Sequence, residues 1–162
     1  MWTVIDSPLG ELRVVEHDDV LTAVEFSPWR DDDAPTGRPH GARDDEHPVL
    51  RETAAQLSAY FAGERTAFDL PLDPGGSAFQ RQVWAELATI GFGETASYGE
   101  IAGRLGRTNA ASRAVGLANG RNPIPVIIPC HRVIGADGSL TGYAGGLARK
   151  QLLLELEQHA LF

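Results

Sequence analysis

Along the first third of the chain, apolar and polar positions alternate in short runs. Thr3-Val4-Ile5, Leu12-Arg13-Val14-Val15 and Val20-Leu21-Thr22-Ala23-Val24-Glu25-Phe26 are separated by Ser7-Pro8-Leu9-Gly10 and His17-Asp18-Asp19. Short runs broken by that turn chemistry predict an antiparallel meander. Residues 28–48 lose the apolar period and are rich in Pro, Gly, Asp and Arg, which predicts a mobile surface loop. From Val49 the period becomes helical: Val49, Leu50, Ala54, Leu57, Tyr60 and Phe61 follow an i, i+3/i+4 rhythm up to Gly63. An extended link over 68–72 and the turn Asp73-Pro74-Gly75-Gly76 then mark a boundary between two lobes, 1–76 and 77–162.

The second lobe reads as helical. Ser77 and Gln80 form a capping-box pattern ahead of Phe79, Val83, Trp84 and Leu87. Ser97 and Glu100 repeat it ahead of Tyr98, Ile101, Ala102 and Leu105. After Gly106-Arg107-Thr108 a further helix is predicted from about Asn109 to Asn119, with Gly120 as its stop. The last two of these read as a helix-turn-helix. At 100° per residue Ala111, Ala114, Val115 and Ala118 fall on the core side of the second helix. Arg113 and Gly116 point the other way with Asn109 beside them, so the outer face is small apart from one guanidinium. Such a face can approach a nucleic-acid groove closely, yet it has few base-reading groups, which predicts little sequence preference. The plainer alternative is an ordinary helical pair.

A final helix over 147–161 places Leu152, Leu153, Leu154, Leu156, Ala160 and Leu161 on its apolar side. Glu157 lies inside that arc, and Lys150 sits on the same stripe seven residues earlier. Charges seldom face a core without partners, so either they meet other polar groups or they snorkel outward.

Composition narrows the class. The chain has 162 residues, 43% of them hydrophobic and 22% charged, which suits one moderate domain or two small ones sharing a core. No apolar stretch nears the ~20 residues of a membrane span, and the N-terminal residues carry no secretory pattern. The net charge of −8 argues at first against nucleic acid. Its distribution reverses that: residues 1–76 carry 16 acids and 6 bases, whereas residues 77–150 carry 4 acids and 8 bases. A basic second lobe attracts phosphates locally. His40 and His47 lie in the polar segment without cysteine support, a pattern more typical of solvated side chains than of metal ligands.

One cysteine stands alone, in Pro129-Cys130-His131-Arg132-Val133, behind the apolar run Ile124-Pro125-Val126-Ile127-Ile128. With no second cysteine there is no internal disulfide, which suits a reducing cytoplasm. Pro129 is placed to start a helical turn with Cys130 in its first residues, where a thiol ionises more readily. His131 can take its proton and Glu157 can orient the imidazole, giving a nucleophile, a base and an orienter. A buried structural cysteine is the alternative, and a cysteine hydrolase using the same three residues is another.

In order along 77–157, Ser97-Tyr98-Gly99-Glu100, Arg113-Ala114-Val115-Gly116, Asn122-Pro123-Ile124-Pro125, Ile128-Pro129-Cys130-His131-Arg132-Val133 and Gly142-Tyr143-Ala144-Gly145-Gly146 resemble the O6-alkylguanine-DNA alkyltransferases. The first lobe resembles that family's ribonuclease-H-like lobe only in general pattern. The resemblance implies an α+β fold, with a small sheet-and-helix lobe followed by a helical lobe carrying the helix-turn-helix.

It also implies stoichiometric, irreversible transfer of the alkyl group from O6-alkylguanine in flipped-out double-stranded DNA to Cys130, with O4-alkylthymine left open as a second substrate. His131, through a water, and Glu157 would activate the thiol. Tyr143 and Lys150 would help neutralise the departing guanine. Arg113 would fill the gap left by the flipped nucleotide, Tyr98 would act on the adjoining phosphate, and Asn109 and Gly116 would complete the DNA face. Asn122, Pro129 and Arg132 would support the site. No cofactor is implied. Some relatives bind zinc through N-terminal cysteines that this chain lacks, so no metal is expected. The protein is expected to be a monomer in solution with no membrane partner, cooperative assembly on DNA remaining open.

Overall fold

The computed structural model describes residues 1–29, 38–143 and 145–159. The chain divides into two compact units, Met1–Gly75 and Gly76–Phe162. The first unit holds β1 (Trp2–Ile5), β2 (Leu12–His17), β3 (Val20–Phe26) and α1 (Pro48–Phe61). The strands form the antiparallel sheet β1-β2-β3 that the alternating pattern predicts, with a bulge at Val15/Glu16. The β2–β3 hairpin turns through Asp18 and Asp19, both at positive φ, a conformation that aspartate tolerates better than most residues. α1 packs on this sheet with Leu50, Leu57 and Tyr60 fully buried. Its buried Gln56 holds the following link by bonding both Asp69 N and Asp69 O at 2.9 Å.

The predicted mobile loop over 28–48 includes residues 30–37, which lie outside the described residues. The described part is held in place. Trp2 N donates to Ala42 O, Asp44 N donates to Trp2 O, and Thr3 Oγ1 donates to Asp45. Neither histidine of this segment is simply solvated. His40 Nε2 lies 3.1 Å from Glu25, and His47 Nδ1 accepts from Val49 N as the N-cap of α1. His47 also stands near Glu16 and Asp19, but Glu16 is already bonded by the N-terminal amine.

The second unit comprises α2 (Ala78–Leu87), β4 (Ala96–Ser97), α3 (Tyr98–Arg104), α4 (Ser112–Gly120), β5 (Val133–Ile134) and α5 (Leu147–His159), with 3-10 turns at Asn109–Ala111 and Cys130–Arg132. The capping box at Ser77 is complete. At Ser97 only half forms: Ser97 Oγ accepts from Glu100 N, while the Glu100 side chain stays in solvent. Trp84, buried on α2, donates its indole N–H to Ala118 O and so locks α2 to α4.

The buried arc predicted for the second helix of the pair needs correction at its edge. Residues 109–111 form a 3-10 turn and α4 begins only at Ser112. A 3-10 turn advances 120° per residue, so the 100° projection misplaces Asn109–Ala111 relative to α4, while the spacing within α4 stands: Val115 and Ala118 are buried and Arg113 is exposed, as predicted. The core side is Val115, Ala118 and Asn119, whereas Ala114 is exposed and Leu117 is 64% exposed. Gly120 is still helical, and Arg121 caps the helix in its place.

Two short elements fix where the site lies. β4 and β5 pair in parallel, Ala96 with Val133 and Ser97 with Ile134. The start of α3 is thereby tied to the residues directly after the 3-10 turn of Cys130.

Candidate active site and DNA-facing groove

The turn that carries Cys130 is shaped by Asn122. Its Oδ1 accepts from Ile124 N at 3.0 Å and its Nδ2 donates to Ile128 O at 2.8 Å, so one amide spans the turn from end to end. Ile128 N donates to Ile124 O within it. Val126, at the turn's centre, is buried and held at φ 72°. That region crowds a β-branched side chain and costs on the order of 1–2 kcal/mol. Pro129 then makes an inverse γ-turn, with Cys130 N donating to Ile128 O at 2.8 Å. Cys130 opens a single 3-10 turn, too short to act as the helix N-terminus the sequence suggests.

Cys130 is 4% exposed. Burial pushes its thiol up to about 11, although the Asn122 amide and the Lys150 ammonium pull the other way. The buried site therefore holds a thiol, and its proton must leave during any reaction.

His131 is fully buried beside it. Its Nε2 lies 2.7 Å from Glu157 Oε2. Glu157 is 1% exposed and also meets Arg132 through two contacts, Nε to Oε1 and Nη2 to Oε2, each 2.9 Å. A carboxylate so paired is ionised and accepts only, so His131 carries its proton on Nε2 and leaves Nδ1 as a free acceptor. Among the described residues Nδ1 is buried without a hydrogen-bond partner. Burial lowers the His131 pKa against the pull of Glu157, and the charges of Arg132 and Lys150 lower it further.

Lys150 does not snorkel. It is fully buried, and Nζ donates to Val133 O at 2.6 Å and Thr141 O at 2.9 Å. Desolvation lowers its pKa. The buried face of α5 is thus Lys150, Leu153 and Glu157, two charges around one leucine. The expected contributions of Ala160 and Leu161 fall outside the described residues.

The structure brings together Cys130, His131, Glu157, Lys150, Arg132 and Asn122. It adds one that the sequence pattern did not single out. Asn119 is 2% exposed, and its Nδ2 donates to Cys130 O at 3.3 Å. The signal was available, because an asparagine four residues after Val115 shares its core-facing phase.

Tyr98, Arg113, Gly116 and Tyr143 lie elsewhere. With Ser112, Leu117, Gly120, Thr141 and Gly142 they line an open groove of about 660 Å³. Tyr98 and Thr141 are joined across it by hydroxyl contacts, Thr141 Oγ1 to Tyr98 Oη at 3.0 Å. Arg113 is exposed. A methyl on Gly116 would meet the Tyr98 ring only at 3.8 Å, and one on Gly120 would meet nothing within 4 Å. Internal packing therefore demands neither glycine. Asn109 is engaged within the helix pair: its Oδ1 accepts from Ser112 Oγ and sits where a side chain on Gly99 would collide.

A buried thiol with a neutral imidazole and a buried carboxylate, beside an open groove lined by an exposed arginine, defines a nucleophile-bearing protein with a surface for a large ligand. Family models identify which class this is. The 6-O-methylguanine DNA methyltransferase DNA-binding domain matches residues 78–159, and the ribonuclease-like domain of the same family matches residues 1–74. A methylated-DNA–protein-cysteine methyltransferase of Mycolicibacterium paratuberculosis is 52% identical over 157 residues, covering 97% of this chain and 92% of that protein. Among solved structures, the Mycobacterium tuberculosis O6-methylguanine methyltransferase matches with a TM-score of 0.85 at 48% identity, covering 98% of this chain and 93% of that one. The Mycobacterium tuberculosis OGT in complex with DNA matches at 0.84 and 49%, with the same coverage. The chain belongs to the 6-O-methylguanine DNA methyltransferase family. Its fold is α+β, and no described helix is long and apolar enough to cross a membrane.

Proposed function

We propose that this protein repairs DNA by transferring the alkyl group of O6-alkylguanine to its own Cys130, once per molecule. The observation that carries the reading is the buried chain Cys130, His131 and Glu157, in which Nδ1 of His131 is left as an unpartnered acceptor. Residues 77–162 act as the DNA-binding and alkyl-transfer domain, preceded by the α/β lobe 1–76.

The lesion carbon lies inside a duplex, so the nucleotide is extruded, with Arg113 taking its place in the stack. The residue has the exposure for it, and Gly116 and Gly120 keep the neighbouring helix face low. Tyr98 acts on the adjoining phosphate, and Asn109 orders the start of α4 beneath it. The thiol proton passes through a water to Nδ1 of His131, whose new charge Glu157 stabilises. The sulfur attacks the alkyl carbon as the carbon–O6 bond breaks, and that bond's electron pair remains on guanine. The guanine anion gains a proton, helped by Tyr143 and by the positive charge of Lys150. One S–H and one C–O bond are exchanged for a thioether and a guanine N–H. A thioether offers water no easy route back, so the protein is consumed. Nothing in this sequence of steps calls for a metal or cofactor, and the free thiol suits a reducing cytoplasm.

Intact-mass measurement after incubation with a duplex carrying O6-methylguanine tests this. The expected result is a single hydrogen replaced by methyl, mapped to Cys130 and absent in Cys130→Ser. Unchanged mass with retained lesion binding would make the chain a recognition module instead. Several lesions repaired per molecule would refute self-consumption.

A further inference from the structure

Glu157 faces two cations or potential cations at once. His131 Nε2 meets one oxygen at 2.7 Å, while Arg132 meets both oxygens. The guanidinium is itself fixed: Arg132 Nη1 donates to Ile90 O at 2.6 Å and its charged carbon lies 5.9 Å from the centre of the Phe92 ring. A buried carboxylate with only an imidazole beside it would draw a proton onto that imidazole, because an uncompensated charge in a low-dielectric interior is costly. Here the charge is already matched by Arg132. We propose that Arg132 is a positioning residue that neutralises Glu157 and so keeps His131 uncharged, with Nδ1 open to the proton of Cys130. The proposal rests on the transfer reading above only in naming that proton's source.

The other groups around His131 act in the same sense or not at all. Lys150 on α5 adds a positive charge, and Cys130 on the same turn is a neutral thiol at rest. α2 also packs on this turn, but its buried residues are Val83, Trp84 and Leu87, so Arg81 and Glu86 are not among the groups that face it. Removing Arg132 therefore leaves Glu157 with His131 as its nearest source of positive charge. His131 would then hold a proton to higher pH, and the fraction able to accept the thiol's proton would fall on the acid side.

The test is ¹⁵N NMR of the histidine rings in the unreacted full chain, titrated in wild type and in Arg132→Met. Wild type should keep the Nε2–H neutral form of His131 well below the ordinary histidine range. The variant should bind the second proton about 1–3 pH units higher. The pH profile of the single-turnover rate should move by the same amount, with about a tenfold loss per unit on the acid side and recovery above it. Arg132→Met/Glu157→Gln, which removes both charges, should return the titration to near wild type. Should Arg132→Met not fold, Arg132→Gln, still able to donate to Glu157 and Ile90, carries the same expectation. An unmoved His131 titration, or a rate lowered equally at every pH, overturns the proposal. A shifted titration in a chain that never gains mass from alkylated DNA would instead sink the transfer reading and leave this one standing.

Discussion

Asn122 and Arg132 both serve the site by satisfying groups that water cannot reach, and the Asn122 amide also meets the Cys130 thiol. Asn122→Ala would orphan Ile124 N–H and leave Ile128 C=O with Cys130 N as its remaining donor, inside a buried turn that already carries Val126 at φ 72°. The orphaned donor costs about 1–3 kcal/mol and the lost second bond to Ile128 about 0.5–1.5 kcal/mol, so urea unfolding should show a loss of roughly 1–4 kcal/mol. The rate of mass gain should drop further than stability alone explains, because the same turn aims Cys130. A variant that unfolds like wild type would mean the turn is held by its backbone alone. Asn119 makes a useful contrast. It contributes one longer bond, 3.3 Å to Cys130 O, so Asn119→Ala should do less than Asn122→Ala in both measurements.

At the scale of elements, α4 shows a conflict between stability and use. Gly116 lies within the helix, where glycine costs about 1 kcal/mol relative to alanine, and nothing among the described residues requires it. Gly116→Ala should raise the unfolding free energy by up to about 1 kcal/mol, while weakening capture of alkylated duplex. Reaction with free O6-benzylguanine, which needs no helix at the groove, should persist. Stability and duplex reaction rising together would show that α4 does not approach the DNA. The same helix shows what the sequence could and could not tell. α1, α2 and the meander were legible because capping residues and a constant period define them locally. The edge of α4's buried arc was not, since Val115 and Ala118 fix its centre but tertiary packing decides that Asn119 and not Ala114 completes it. β4 and β5 were silent, because two residues carry no alternation to read. Within the site, Cys130, His131 and Glu157 stood out by type and position. The sharing of Glu157 with Arg132 did not, as that contact spans 25 residues and joins a turn to a helix that meet only in the folded unit.

For the whole molecule, charge sets how the chain meets DNA. Its net charge is −8, yet residues 77–150 hold 8 bases against 4 acids. Two of those bases cannot reach phosphate: Arg132 is paired with Glu157, and Lys150 is fully buried against backbone carbonyls. The exposed ones are Arg81, Arg104, Arg107, Arg113 and Arg121, with Arg149 half-buried. At most these displace counterions, and the acidic excess over 1–76 adds none. The slope of log affinity against log salt for undamaged duplex should therefore fall between about −2 and −5, each phosphate contact contributing about −0.9. Arg113→Ala should make it shallower by about one unit if that side chain meets a phosphate. It should leave the slope unchanged, and lower only lesion reaction, if the guanidinium enters the base stack as proposed. Arg132→Met should leave it unchanged in either case. A slope much steeper than about −5 would require phosphate contacts from a surface other than the groove-bearing unit.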